Sequence, residues 1–144
     1  MPFAVSELTV GQELVSRQFQ ITRESLVRYA GASGDFNPIH YREDVAQSVG
    51  LPGVLAHGML PMGLAIQPLV EWCGSTYVLH SYQVRFTKPV IVDLADGAHL
   101  FVRVIIGSIE NNKDQPALIC CNLEVTCQSG EKVLGKAQAV VRLA

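Results

Sequence analysis

The sequence predicts an α+β fold, a curved antiparallel sheet wrapped around one long apolar helix. Three observations carry that reading. The most apolar stretch, Val54 to Val70 (VLAHGMLPMGLAIQPLV), is interrupted by His57, Gln67 and two prolines and falls short of the roughly 20 apolar residues that a membrane-spanning helix needs. A helix that is apolar on every side and too short to span is a buried one, so the remaining chain must cover it. From Ser75 onward, strand-like segments alternate with turn signals, and sequential strands on short connections pair antiparallel. With 144 residues and no repeat, linker or low-complexity segment, the chain is expected to form a single domain over residues 1–144.

The elements follow in chain order. Glu13 to Ile21 reads as a first strand, and Thr22 as the N-cap of a helix over Arg23 to Ala32, because a Thr side chain can accept a bond from an otherwise unpaired first-turn N–H. Leu26, Tyr29 and Ala30 share one face of that helix, and Gly34 fits its stop. A short helix over Glu43 to Val49 is ended by Gly50 and Pro52. The apolar helix runs from about Gly58 to Trp72 and is closed by Gly74. Pro61 is tolerable in its first turn, whereas Pro68 should kink or loosen the last one. Four strands are expected over Thr76 to Thr87, Ala98 to Glu110, Ala117 to Gln128 and Glu131 to Leu143, with turns at Asp96-Gly97, Asn111-Asn112 and Ser129-Gly130.

Composition narrows the function classes. Forty-nine per cent apolar residues exclude a disordered chain, and 17% charged residues are few for a lone monomer. A net charge of −2 without a Lys/Arg cluster argues against nucleic acid as a partner, since phosphate binding needs a basic footprint. The first residues, MPFAVSELTVGQ, lack the basic-then-apolar pattern of a signal peptide, which points to a cytoplasmic protein. Cys73, Cys120, Cys121 and Cys127 contain no CxxC pair, so they read as reduced packing residues, with Cys120 and Cys121 on opposite faces of a strand.

Polar groups are concentrated in Ser33 to His40 (SGDFNPIH). Asp35 and His40 are five positions apart, too far to cooperate in a strand that rises about 3.3 Å per residue. Asn37-Pro38-Ile39-His40, however, has the composition of a type I turn, which folds His40 back towards Asp35. Pro38 keeps Asn37 out of the helical region, and Asn37 can bond within the turn and stiffen it. Either residue alone has an ordinary use, Asp as a loop or capping residue and His as a partly buried side chain. Together on one turn they point to acid–base chemistry.

Ala56-His57-Gly58-Met59 lies where the apolar helix begins, a place with free N–H groups and the positive end of the helix dipole. Gly58 has no Cβ, so it either allows a ligand carbonyl to approach the backbone or serves tight packing. His57 reads as structural support, because the loop already supplies an imidazole.

The run Tyr29 to His40, with Ala46 six residues beyond the His, resembles the signature of the MaoC-like, R-specific hydratase/dehydratase family of hot-dog proteins. Ala56 to Leu60 is similar to that family's second block and Val84 to Val90 to its third. Over its whole length the chain is most similar to the catalytic B subunits of mycobacterial-type heterodimeric (3R)-hydroxyacyl-ACP dehydratases. One departure lies at Val92 to Gly97 (VDLADG), where family members commonly carry a Gly-Asp turn.

The resemblance implies a hot-dog domain that adds or removes water across C2–C3 of an acyl thioester carried on CoA or acyl carrier protein, with no cofactor and no metal. It assigns the acid–base work to Asp35 and His40, orientation to Asn37 and Ser33, and the thioester oxygen to the Gly58 amide. No two of Asp35, His40 and His57 have the HxxxH spacing of helical metal ligands. Arg85 and Lys88 are candidate contacts for a carrier's phosphates, or simply solvated strand charges. A homodimer, or a heterodimer with a second hot-dog subunit, is expected, because a sheet with one covered face leaves edges and apolar area. Alternatives are a thioesterase on the same fold, against which the Asp-x-Asn-Pro-x-His run argues, and a non-catalytic subunit that shapes a neighbour's acyl tunnel, which would be expected to lack the Asp or the His.

Overall fold

The computed structural model describes residues 4–75 and 78–143. The order of elements is β1 (Glu13–Ile21), α1 (Arg23–Ser33), a 3-10 turn (Pro38–His40), α2 (Glu43–Ser48), α3 (Met59–Cys73), β2 (Leu79–Phe86), β3 (Ala98–Glu110), β4 (Ala117–Cys127) and β5 (Lys132–Leu143), after a single 3-10 turn at Val5–Glu7. The expected fold class holds. The limits of β1 and β3 coincide with those read from the sequence, and the other elements differ by a residue or two, except that β2 begins at Leu79. The expected start of that strand, at Thr76, lies outside the described residues.

The local signals act as their chemistry suggests. Thr22 Oγ1 accepts from the Ser25 N–H at 3.2 Å and Ser25 Oγ accepts from the Thr22 N–H at 3.0 Å, a reciprocal cap that starts α1. Gly34 ends α1 in the left-handed region, at φ 76°. Arg23 ties the start of α1 to two neighbours, donating from Nε to the Val92 carbonyl at 2.6 Å and from Nη2 to Glu43 of α2 at 2.7 Å.

The five strands are all antiparallel, in the order β1-β3-β4-β5-β2. The consecutive pairings β3-β4-β5 agree with short connections, but β2 lies on the far edge beside β5. Residues 87–97 make the crossing that this order demands. They bury Val90 and Val92 and form a short bridge to the segment before α3, with Ala56 N–H donating to the Val90 carbonyl and Val92 N–H to the Val54 carbonyl, both at 2.9 Å.

Alternate residues of the strands face α3. Leu100, Val102 and Val104 of β3, with Ile119, Cys121 and Val125 of β4, form one core with Ala65, Leu69 and Cys73 of α3. The expectation that α3 is enclosed on every side is corrected here. Met59, Gly63, Gln67 and Glu71, spaced by four, are exposed, because the sheet covers only one side of the helix. Arg17 of β1 reaches that stripe and pairs with Glu71. The helix continues past Pro68 as far as Cys73, and Tyr82 of β2 donates to the Met62 carbonyl at 2.8 Å, holding the helix to the sheet edge.

All four cysteines are free. Cys121 is buried beneath α3 while its neighbour Cys120 is half-buried on the other side, as strand alternation requires. Burial pushes the thiol of Cys73 up to about 11 and that of Cys121 up to about 12. Raised thiols carry little thiolate at neutral pH. Native protein treated with iodoacetamide at pH 8 is therefore expected to be labelled at Cys120 and Cys127 only, with Cys73 and Cys121 labelled after denaturation. Peptide mass spectrometry reads the result, and native labelling of Cys121 would contradict this core.

Candidate active site

Ser33 to Ile39 forms a ladder in which each second residue bonds the backbone two positions on. Ser33 Oγ accepts from the Asp35 N–H at 3.1 Å, Asp35 Oδ1 from the Asn37 N–H at 3.1 Å, and Asn37 Oδ1 from the Ile39 N–H at 3.2 Å. Asn and Asp favour such local turns. The His40 N–H then donates to the Asn37 carbonyl at 3.1 Å, closing the expected turn as a single 3-10 turn. Ser33 and Asn37, expected to orient the pair, bond the backbone on either side of Asp35 and not its carboxylate.

The ladder leaves Asp35 with one engaged oxygen and one available. His40 is in the same condition, as its Nδ1 lies 2.7 Å from the Leu55 carbonyl. A carbonyl only accepts, so the neutral ring carries its proton on Nδ1 and a lone pair on Nε2. Nε2 stands 3.9 Å from Asp35 Oδ2. That gap is too long for a direct hydrogen bond, but one water oxygen fits between them at about 2.8 Å from each. The His40 side chain is 9% exposed and that of Asp35 51%, so the pair joins a shielded imidazole to a carboxylate that solvent or substrate can reach.

His40 also lines a cleft of about 240 Å³ together with Leu55, Ala56, Gly58, Phe86, Lys88 and Pro89. Gly58 immediately precedes α3, where first-turn N–H groups have no helical acceptor. A Cβ on Gly58 would lie 3.2 Å from Phe86 Cε1, so the missing side chain makes room for the Phe86 ring as well as opening the backbone to the cleft. Lys88 lines the cleft and pairs with Glu131 at 2.7 Å. Arg85 is exposed and is not among the lining residues.

The arrangement uses three groups that sequence reasoning missed. The Leu55 carbonyl fixes His40, but a backbone group leaves no mark in residue identity. Phe86 packs on Gly58, and Tyr29 of α1 lies against His57 with ring centroids 4.8 Å apart. The apolar face of α1 offered a signal for Tyr29; Phe86 stands within the Val84 to Val90 run, but its packing on Gly58 leaves no mark in the spacing.

Asp35, His40 and His57 bring ligand atoms within 4.8 Å of one another, which raises the question of a metal. The His40 and His57 rings are stacked, with centroids 3.8 Å apart and planes 22° from parallel. Ring lone pairs lie in the ring plane, so nearly parallel stacked imidazoles direct them side by side rather than at one ion. One nitrogen of each ring also already faces a backbone carbonyl. Asp35 Oδ2 and His40 Nε2 are left able to accept a proton.

Comparison with known proteins agrees with this chemistry. The MaoC-like domain matches residues 5–115. The 3-hydroxyacyl-thioester dehydratase X of Mycobacterium tuberculosis is 37% identical over 81 residues, covering 56% of this chain and 28% of that protein. The 3-hydroxybutyryl-CoA dehydratase of Methylorubrum extorquens is 26% identical over 140 residues, covering 95% of this chain and 82% of that one. A solved MaoC-like dehydratase superposes with a TM-score of 0.89 at 35% identity, covering 96% of this chain and 42% of its own. This chain thus spans less than half the length of two of these relatives. The five-stranded sheet on a single long helix is the hot-dog fold, and with a family match that includes α1, the Ser33–His40 loop and the start of α3, the chain belongs to the MaoC-like domain family.

Proposed function

We propose that this chain adds water reversibly across the C2–C3 double bond of a trans-2-enoyl thioester, giving a (3R)-3-hydroxyacyl thioester. The observation that supports it is the anchored pair: Asp35 Oδ2 and His40 Nε2 are 3.9 Å apart, each held in place through its other polar atom. A water between them loses one proton to this pair as its oxygen bonds to C3, and a proton is delivered to C2 from the same side, so the addition is syn. Negative charge that develops on the thioester oxygen is met at the start of α3, where the Gly58 backbone borders the cleft. In the reverse direction the same atoms remove water.

The carrier is CoA or acyl carrier protein. Of the two cations considered for its phosphates, Lys88 borders the cleft and is the one we assign to them; Arg85 remains a solvated strand charge. Pairing with a second hot-dog subunit, identical or not, fits two open sheet edges, β1 and β2, and the exposed Val27, Phe36, Met59 and Phe86. Reduced cysteines fit a cytoplasmic setting. The test is to offer the chain, alone and with candidate second subunits, crotonyl-CoA and longer trans-2-enoyl thioesters while following the loss of enoyl absorbance. Formation of the (3R)-hydroxy product is expected, whereas release of free thiol without hydration would indicate a thioesterase instead.

Gly58→Ala gives a local check. The added methyl presses on Phe86, which is 56% exposed and free to swing aside, so stability should change by less than about 1 kcal/mol. The methyl and the displaced ring both intrude on the cleft, and kcat/KM should fall roughly 10-fold. Unchanged kinetics would remove Gly58 from the site.

A further inference from the structure

We infer that His57 is a positioning residue for this reaction, holding Asp35 by its main chain and His40 by its ring. This rests on the hydratase reading for its effect on rate, though not for its effect on structure. His57 is 2% exposed and lies at the end of the segment that leads into α3. Its Nε2 is 3.0 Å from the Asp35 carbonyl oxygen. Only a protonated nitrogen can donate there, so the neutral ring carries its proton on Nε2 and its lone pair on Nδ1, the reverse of His40. Nδ1 is buried with no hydrogen-bond partner among the described residues.

The consequence is geometric. The side-chain bonds of the ladder from Ser33 to Ile39 are all short-range. Its far end is fixed to Leu55, whose N–H donates to the Ile39 carbonyl at 3.3 Å, but Asp35 lies four residues earlier and gains nothing directly from that bond. The bond from His57 is the tie between the carboxylate's own residue and the segment that also supplies the Leu55 carbonyl to His40. Stacking on His40 at 3.8 Å and a tilted contact with Tyr29 at 4.8 Å leave the His57 ring little room to turn. Both halves of the pair are thereby referred to one short stretch, residues 55–57, and their 3.9 Å spacing is set by it. His57 itself touches no reacting atom.

Two substitutions separate the bond from the bulk. His57→Phe keeps a stacking ring and loses the donor; His57→Gln keeps an amide donor at the reach of Nε2 and loses the ring. With crotonyl-CoA, His57→Phe should lower kcat by about 10- to 100-fold with KM changed less than about 3-fold, since a small misplacement of a reacting group costs rate rather than binding. His57→Gln should recover most of that loss. In the Asp35→Asn background the His57→Phe penalty should disappear, because the two act through one group. Hydrogen exchange at the Asn37 amide, which Asp35 Oδ1 holds, should speed up in His57→Phe and return towards the parent rate in His57→Gln. Equal loss in both variants, with KM rising as the melting temperature falls, would make His57 mere packing and overturn the proposal, as would unaltered Asn37 exchange in His57→Phe. A parent chain inactive towards every enoyl thioester, alone or with partners, would sink the hydratase reading, and the exchange measurements would still decide the positioning role.

Discussion

Replacing His40 by Asn is expected to lower turnover by about 10² or more while leaving the melting temperature almost unchanged. The reason lies in the division of labour between the two ring nitrogens. The Asn side-chain NH₂ can occupy the place of Nδ1 and continue to donate to the Leu55 carbonyl, which the parent ring meets at 2.7 Å. What disappears is Nε2, the atom 3.9 Å from Asp35. His40→Ala is the coarser test, since it also leaves a buried carbonyl without its donor, at a cost of about 1–3 kcal/mol. Asp35→Asn has the same design on the other partner. Its remaining oxygen can still accept from the Asn37 N–H, and with the side chain half exposed the fold loses little, but the available oxygen becomes an amide that cannot take a proton. Turnover should again fall by about 10² or more.

The double variant is expected to be no worse than the poorer single one, because residues that act as a unit lose their effect together. Rates with crotonyl-CoA, read beside melting curves, decide the matter. Near-normal turnover in either single variant would show that the pair does not share the proton transfers.

Why the pair was visible in the sequence while its supports were not follows from the range of the interactions. Thr22, Gly34 and Asn37 act on backbone groups within four residues of themselves, so their identities announce the cap, the stop and the turn. Strand limits are likewise local, since buried residues alternate with less buried ones along β3 and β4. The bonds that finish the site join residues 15 and 22 positions apart, His40 to the Leu55 carbonyl and His57 to the Asp35 carbonyl. Their acceptors are backbone atoms that every residue type has. The place of β2 beyond β5 was hidden for a related reason, as pairing order depends on how residues 87–97 cross the molecule and not on the strand's own pattern. The exposed stripe of α3 did leave a trace. Gly63, Gln67 and Glu71 recur every fourth position, a faint polar line in a helix otherwise rich in Leu, Ile, Val and Met.

The largest loss of stability is expected from Gly97→Ala, at the turn where the sequence departs from the pattern it otherwise resembles. Gly97 has φ 69°, and a Cβ there would lie 2.3 Å from the Ile21 carbonyl oxygen. The obstacle is backbone and cannot rotate away. Ile21 is fully buried at the end of β1, and Thr22, whose Cα is also within 3.4 Å of that Cβ, caps α1. The turn itself is fastened, because Asp93 Oδ1 accepts from the N–H groups of Ala95 and Asp96 at 2.8 and 2.9 Å, so it cannot retreat freely. Left-handed backbone costs an Ala about 1–2 kcal/mol and overpacking a further 1–3 kcal/mol, or about 3 kcal/mol together, which lowers the melting temperature by roughly 6–12 °C in a domain of this size. Gly34→Ala supplies the control. Its φ is 76° but nothing lies within 4 Å of the added carbon, so only the conformational part, about 1–2 kcal/mol, should appear. The difference between the two variants isolates the clash. Equal melting temperatures would mean that the 93–97 turn does not abut the β1–α1 junction, and that the crossing segment takes another course over the core.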